Sequence, residues 1–409
     1  MKKLRELLVR DSSKPVVAVI TPGSLPVPPI LGGGIQTVAY EYAIPNKEQN
    51  IIIFSALDAG LPEYEMDKNG IGHVRLRNKS YDNFEIIWKN EYLIRFNRYI
   101  YKACRILKSI MPDIVHIHNR PHFVPIVRKL LGNKVKIILT NHNLKIAEEE
   151  YITKSLTKVM QAVDLVVYPS RKVAELDLWQ IAPEYKEKTA VIYNGVDQAV
   201  YKKASPAEIN KIREKYKLNS KQVILFIGRL AAEKGADKIL EAMPQIIKTH
   251  KDIQLVIVGS SFFGKGQKTP YVQKLIEIAK PLQEYVAFTG FVNVADVPSL
   301  YSLADIFVAP VTWDDPSPKT IYEAAACEVA IVSVQRGGIP EIVENGKSAV
   351  LLDADFTVSD LAHEINCLLH DQNKINILVN NAKERILRNF TCEIIAKQWA
   401  ELYQKMLSK

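Results

Sequence analysis

Short apolar runs recur along this chain, and most are followed by a stretch in which apolar residues return every three or four positions. In the first half the runs fall at residues 16–20, 51–55, 114–118, 135–140, 165–168 and 190–193. In the second half they fall at 223–227, 254–258, 286–289, 306–309, 330–334 and 349–351. Runs of this length with amphipathic helices between them predict buried parallel strands in doubly wound α/β sheets. Two successive sets predict two Rossmann-like domains, divided near residues 198–221, where a Lys-rich helical stretch precedes a new strand. Such sheets bind ligands beyond the carboxyl ends of their strands.

One run leads into an arrangement with chemistry of its own. The strand at 223–227 ends at Gly228, and Arg229 and Lys234 follow around the start of a helix whose apolar face carries Ile239, Leu240 and Met243. Two cations at a helix N-terminus suit a diphosphate, because both can meet phosphate oxygens and the helix dipole adds to them. A pair of solvated surface charges is the plainer reading. Near the N-terminus, Gly32-Gly33-Gly34 follows the first strand and a proline-rich loop. Glycines there allow backbone N–H groups to approach a phosphate closely. A nicotinamide fingerprint is matched poorly, since Thr37 stands where its last glycine or alanine belongs.

Length and composition fit two sizeable cores: 409 residues, 47% of them hydrophobic. No apolar run approaches a membrane span, and the first ten residues lack the features of a signal peptide. Cys104, Cys327, Cys367 and Cys392 are scattered without metal or redox spacing, which points to a reduced, cytoplasmic compartment. The formal net charge of +9 is uneven: residues 1–200 hold 28 Lys and Arg against 21 Asp and Glu. Arg95, Arg98, Lys102, Arg105 and Lys108 recur at helical spacing opposite Phe96, Tyr99, Ala103, Ile106 and Leu107. That helix reads as a solvated basic edge or as a surface for an anionic acceptor or the inner face of a membrane. Nucleic acid is not indicated, because no recognition motif accompanies the charge.

Gly228-Arg229-Leu230 with Lys234-Gly235 resembles the donor-phosphate signature of the retaining glycosyltransferases of family 4, which have the two-domain GT-B fold. The resemblance spans nearly the whole chain, through Gly32-Gly33-Gly34, Asn194-Gly195-Val196-Asp197, Phe288-Thr289-Gly290-Phe291-Val292, Glu323-Ala324-Ala325-Ala326 and Arg336-Gly337-Gly338-Ile339-Pro340-Glu341. Within the family, His116-Ile117-His118-Asn119-Arg120-Pro121 is most similar to bacterial spore-coat and surface-polysaccharide enzymes. It implies two facing Rossmann-like domains with a central cleft: an acceptor domain over residues 1–197 and a nucleotide-sugar domain over 198–391. The last helix, within 392–409, would pack back on the first domain.

The resemblance also implies roles. His118, at the end of its strand, would stand beside the transferred sugar and the acceptor, with Asn119, Arg120 and His142 on the acceptor side. His116, two residues back, reads as a satisfied core histidine. Gly33, Gly34, Arg229 and Lys234 would hold the donor phosphates, and Phe291 would lie where the nucleobase stacks. The family places two glutamates with seven residues between them. Glu323 matches the second, which accepts hydrogen bonds from the ribose hydroxyls, whereas Asp315 replaces the first, near the donor sugar. Between them Ser317, Pro318, Lys319 and Thr320 stand where backbone amides would hold sugar and diphosphate, and Pro318 replaces a glycine and removes one such amide.

The implied reaction is retaining transfer from a nucleotide-sugar co-substrate, UDP-linked in most of the family, to a glycan or glycolipid acceptor. It implies no permanent cofactor and no metal, with Arg229 and Lys234 stabilising the departing diphosphate. The Asp315 and Pro318 departures keep a catalytically altered protein with a structural or surface-layer role as one alternative. A nucleotide-sugar epimerase on the same fold is another.

Overall fold

The computed structural model of the chain describes residues 2–58, 60–77, 89–143, 150–180, 182–261 and 269–408. They form two compact units, one of Met1–Gly195 with Cys392–Lys409 and one of Val196–Thr391.

The first unit is built on β1 (Val16–Ile20), β2 (Asn50–Ala56), β3 (Tyr64–Met66), β4 (Gly72–Leu76), β5 (Ile114–His118), β6 (Lys136–Thr140), β7 (Leu165–Tyr168) and β8 (Thr189–Val191). They lie in the order β3-β4-β2-β1-β5-β6-β7-β8, parallel throughout except for the β3–β4 pair. Alternate residues of β1 enter opposite faces. Val16, Ala18 and Ile20 join one core with Val115, Ile117 and Leu139, while Val17 and Val19 join another with Ile51, Ile53 and Ile138. The helix Cys392–Leu407 closes that second core with Ile395, Ala396, Trp399, Tyr403 and Met406, a stripe at helical spacing. The strand order reverses between β1 and β5, so the loop after Ile20 and the residues after His118 both open at a switch point.

β3 and β4 escape the hydropathy pattern because the apolar positions of β4 are broken by His73 and Arg75. Both are fully buried, and each is paired. His73 Nε2 lies 3.1 Å from Asp67 Oδ2. Arg75 donates to the carbonyls of Val27 and Pro62, each at 2.8 Å, and forms an ion pair with Glu65. The buried Arg75 charge is tolerated because each of its three guanidinium nitrogens has such a partner.

The basic helix runs over Lys89–Ile110. Tyr99, Ala103 and Leu107 are buried in the first core, and Arg98, Lys102, Arg105 and Lys108 are exposed. The Arg95 and Phe96 side chains lie outside the described residues. The buried apolar face is therefore committed to the sheet, and the described outer face presents Arg98, Lys102, Arg105 and Lys108 together with the half-exposed ring of Tyr101. No described helix is long and apolar enough to cross a membrane.

The second unit carries β9 (Gln222–Ile227), β10 (Ile253–Val258), β11 (Val286–Gly290), β12 (Ile306–Val308), β13 (Ala330–Val334) and β14 (Val350–Leu352). The order is β11-β10-β9-β12-β13-β14, all parallel, with the reversal between β9 and β12. The segments after Ile227 and after Val308 therefore meet at this sheet's switch point. These are the segments that carry Arg229, Lys234 and Asp315.

Candidate active site

In the second unit, Gly228 leaves β9 and the chain makes a short 3₁₀ turn, Ala232–Lys234, before the helix Ala236–Thr249. Thr312, beyond β12, is stitched to that turn. Its N–H donates to the Glu233 carbonyl at 3.1 Å and its hydroxyl to the Ala232 carbonyl at 3.3 Å. This brings Lys234 against Asp315, with Nζ to Oδ2 at 2.5 Å, and 5.4 Å above the centre of the Trp313 ring. Arg229 is half exposed and pairs with Glu233, four residues on.

Asp315 is nearly buried, at 4% exposure. Its carbonyl accepts from the Gly338 N–H at 2.9 Å, and Asp314 Oδ1 accepts from the Gly337 N–H at 3.1 Å. Gly337 has φ +54°, and a Cβ there would come within 2.2 Å of the Asp315 carbonyl oxygen. The Arg336-Gly337-Gly338 segment thus has a physical role beside the carboxylate that its sequence alone does not reveal.

Ser317 is buried, and its hydroxyl lies 2.7 Å from the Tyr322 hydroxyl. Pro318 is the N-cap of the helix Lys319–Ala326, and no side chain caps that end. Lys319 and Thr320 are half buried in its first turn. Glu323 is buried, and Tyr301 donates to its Oε2 at 3.1 Å. Burial raises the Glu323 carboxyl above the usual carboxylate range, offset in part by the Lys319 charge and by hydrogen bonds from Tyr301 and Tyr201. Phe291 stands apart, 47% exposed just beyond the edge strand β11, with Phe288 exposed beside it. Asp353 and Asp355 are exposed in the turn after β14. Among the described residues no group of three or more His, Cys, Asp and Glu side chains is arranged to hold a metal ion.

In the first unit, Gly33 caps the helix Gly34–Ala43 with φ 107°. A Cβ on Gly33 would meet Leu25 and Gln36 side-chain atoms at 2.6 and 2.7 Å, whereas one on Gly34 would meet no described atom within 4 Å. The atoms met at 33 are movable side-chain ends, so it is the left-handed backbone that favours glycine there, whereas position 34 is open to solvent.

His118 ends β5 and is fully buried rather than presented to solvent. Its Nδ1 lies 2.7 Å from His142 Nε2, the two rings stacked at 16°, and its Nε2 lies 3.4 Å from the Tyr42 hydroxyl. His142 is half buried and forms the outer end of the pair. Asn119, at φ 52°, accepts the His142 N–H at 2.6 Å through Oδ1, and its own N–H donates to the Thr140 carbonyl. A short polar side chain tolerates that left-handed backbone. Arg120 Nη1 donates to the Asn119 carbonyl at 3.0 Å. His116 lies deeper, with Thr140 Oγ1 at 2.6 Å from its Nε2 and the Tyr403 hydroxyl at 2.8 Å from its Nδ1. Burial holds His116 and His118 well below the usual histidine range and His142 down to about 4, so all three are neutral near pH 7.

The tyrosines were not visible as site residues in the sequence. Tyr42 shares a helical face with Val38 and Ala39 and reads as core, and only its hydroxyl, reaching His116 and His118, gives it a second role. Tyr301 and Tyr403 are likewise core residues with a polar tip.

With this geometry in view, the family follows. The model of Glycosyltransferase Family 4 matches residues 32–200 and that of Glycosyl transferases group 1 matches residues 208–385. The chain belongs to the GT-B glycosyltransferases composed of these two domains. It is 29% identical over 395 residues to spore coat protein SA of Bacillus subtilis, covering 95% of this chain and 99% of that one. A lipopolysaccharide 1,2-N-acetylglucosaminetransferase of Salmonella typhimurium is 22% identical over 97% of this chain and 100% of its own. Among solved structures, Anabaena HepE in complex with UDP and glucose superposes with a TM-score of 0.76 at 21% identity, covering 95% of this chain and 99% of HepE. Sucrose-phosphate synthase of Thermosynechococcus elongatus gives 0.79 at 19% identity, covering 97% and 100%. These structural likenesses establish the fold.

Proposed function

We propose that the protein is a retaining glycosyltransferase that uses a UDP-sugar and a glycan or glycolipid acceptor. The observation that carries this reading is the meeting, at the β9/β12 switch point, of the turn bearing Arg229 and Lys234 with Asp315, which leads into the helix bearing Glu323. Two cations and a helix dipole match a diphosphate, and a buried carboxylate one turn inside that helix matches a ribose. The UDP assignment draws on HepE, whose structures contain UDP, glucose or UDP-glucose. The acceptor class draws on the lipopolysaccharide enzyme's activity.

In this mechanism the bond between the sugar anomeric carbon and the diphosphate oxygen breaks as the acceptor oxygen bonds the same face of that carbon. The acceptor proton passes to the leaving phosphate oxygen. Arg229 and Lys234 carry the charge that develops on the diphosphate, so the chain's own cations take the part a divalent ion plays elsewhere. Asp315 lies against the sugar. In the first unit neutral His142, oriented by His118 and Asn119, accepts or donates one hydrogen bond to an acceptor hydroxyl. Gly34 leaves the backbone open for the close approach of a ligand.

The test is incubation with UDP-glucose, UDP-galactose and UDP-N-acetylglucosamine, followed by proton NMR of the anomeric signals with and without added glycan. Release of UDP with an axial product from an axial donor supports the reading. An inverted product contradicts retention, and interconversion of the donor sugar without transfer would indicate an epimerase.

A further inference from the structure

Glu323 is held by two tyrosines that no part of the proposed reaction requires. Tyr301 is fully buried in the helix Val297–Leu303, with its ring packed edge-on against Phe307 at 5.4 Å between centroids. Its hydroxyl donates to Glu323 Oε2 at 3.1 Å. Tyr201, also buried, hydrogen-bonds the same carboxyl group. A buried tyrosine hydroxyl usually finds a partner, and here both choose one carboxylate.

An ionised carboxylate only accepts, at about four lone-pair positions. Two tyrosine donors occupy two of them and fix the plane of the group. The positions that remain can accept further donors and offer none in return. A ribose supplies two donors from its 2′ and 3′ hydroxyls, and a 2′-deoxyribose supplies one. A buried acceptor left without a donor is costly, so the deficit appears as lost affinity.

Resting on the proposed donor site, we infer that Tyr301 and Tyr201 are positioning residues that lock Glu323 as an acceptor-only group and so make the site select ribonucleotides over 2′-deoxyribonucleotides. Without them the carboxyl can turn, and it loses hydrogen bonds that favour its charged form. A neutral carboxyl can donate as well as accept, and then the missing 2′ hydroxyl is no longer penalised.

The experiment is calorimetric titration of the full chain with UDP, GDP and ADP, each beside its 2′-deoxy counterpart, for wild type, Tyr301→Phe, Tyr201→Phe and Glu323→Gln. Both phenylalanine variants keep the ring and remove only the hydroxyl, and thermal melting confirms that each folds. Wild type is expected to prefer the ribonucleotide by about 10-fold or more, the scale of one hydrogen bond to a charged group. Tyr301→Phe is expected to lose most of that preference while binding the deoxynucleotide within about 3-fold of wild type, a pattern that general loosening would not produce. A preference unchanged in both phenylalanine variants overturns the inference and leaves the donor site standing. Equal binding of both sugars by wild type also overturns it. If wild type binds no nucleotide, the donor-site reading fails and this inference falls with it.

Discussion

Lys234 Nζ lies 2.5 Å from Asp315 Oδ2, so the cation proposed for the donor diphosphate is already engaged by a carboxylate. The pair is mostly buried, with the two side chains 25% and 6% exposed. Such a pair is screened less than a surface ion pair. A diphosphate at this site shares Lys234 with Asp315 or takes it over. Asp315→Asn is therefore expected to leave nucleoside diphosphate affinity unchanged or to tighten it, while turnover falls. Lys234→Ala is expected to weaken that affinity by roughly 10- to 100-fold, the scale of a charged hydrogen bond. Calorimetry of both variants with UDP checks the pair. Unaltered binding in Lys234→Ala would remove this lysine from the donor site.

Pro318 caps the helix Lys319–Ala326 without an N–H of its own. Pro318→Gly restores a donor at a helix end suited to an anion. We expect donor affinity to rise by about 3- to 10-fold, with a loss of stability near 1 kcal/mol from greater freedom in the unfolded chain. Paired calorimetry and urea unfolding separate the two effects.

Gly337→Ala tests the support beneath Asp315. The added Cβ would stand 2.2 Å from the Asp315 carbonyl oxygen on a backbone at φ +54°. Relief requires that the Asp314–Asp315 segment shift. A loss of about 2–4 kcal/mol is expected. For a unit of this size that corresponds to roughly 5–15 °C in melting temperature, together with weakened nucleotide binding.

The histidine cluster sets a pH dependence. Burial depresses His116, His118 and His142 in the folded protein, so below the ordinary histidine range the unfolded chain binds more protons. Their contribution is complete above about pH 6.5 and is lost as the pH falls toward about 4, the value for His142. The urea midpoint should fall between about pH 7 and 5. In His142→Asn the fall should be shallower, even though that variant starts from a lower stability. Equal slopes would place the proton uptake elsewhere.

Most of the strands were legible because parallel strands buried on both faces read as uninterrupted apolar runs, as at Val16–Ile20 and Ala330–Val334, both buried along their whole length. β4 was not, since His73 and Arg75 are buried through specific partners that hydropathy does not register. In the candidate site the charged residues and glycines stood out by type and spacing. The spacing did not show that His118 would be enclosed, because its burial depends on Tyr42 and His142, distant in sequence and brought together by the sheet. Nor did it show the tyrosines on Glu323, whose rings pack as ordinary core residues.

Calorimetric titration of wild type, Arg229→Ala and Lys234→Ala with UDP and UDP-glucose decides whether these two cations hold the donor. Wild type is expected to bind UDP in the micromolar range, with each variant weaker by at least about 10-fold. Binding of UDP that both variants retain unchanged, or no nucleotide binding by wild type at all, would contradict that role.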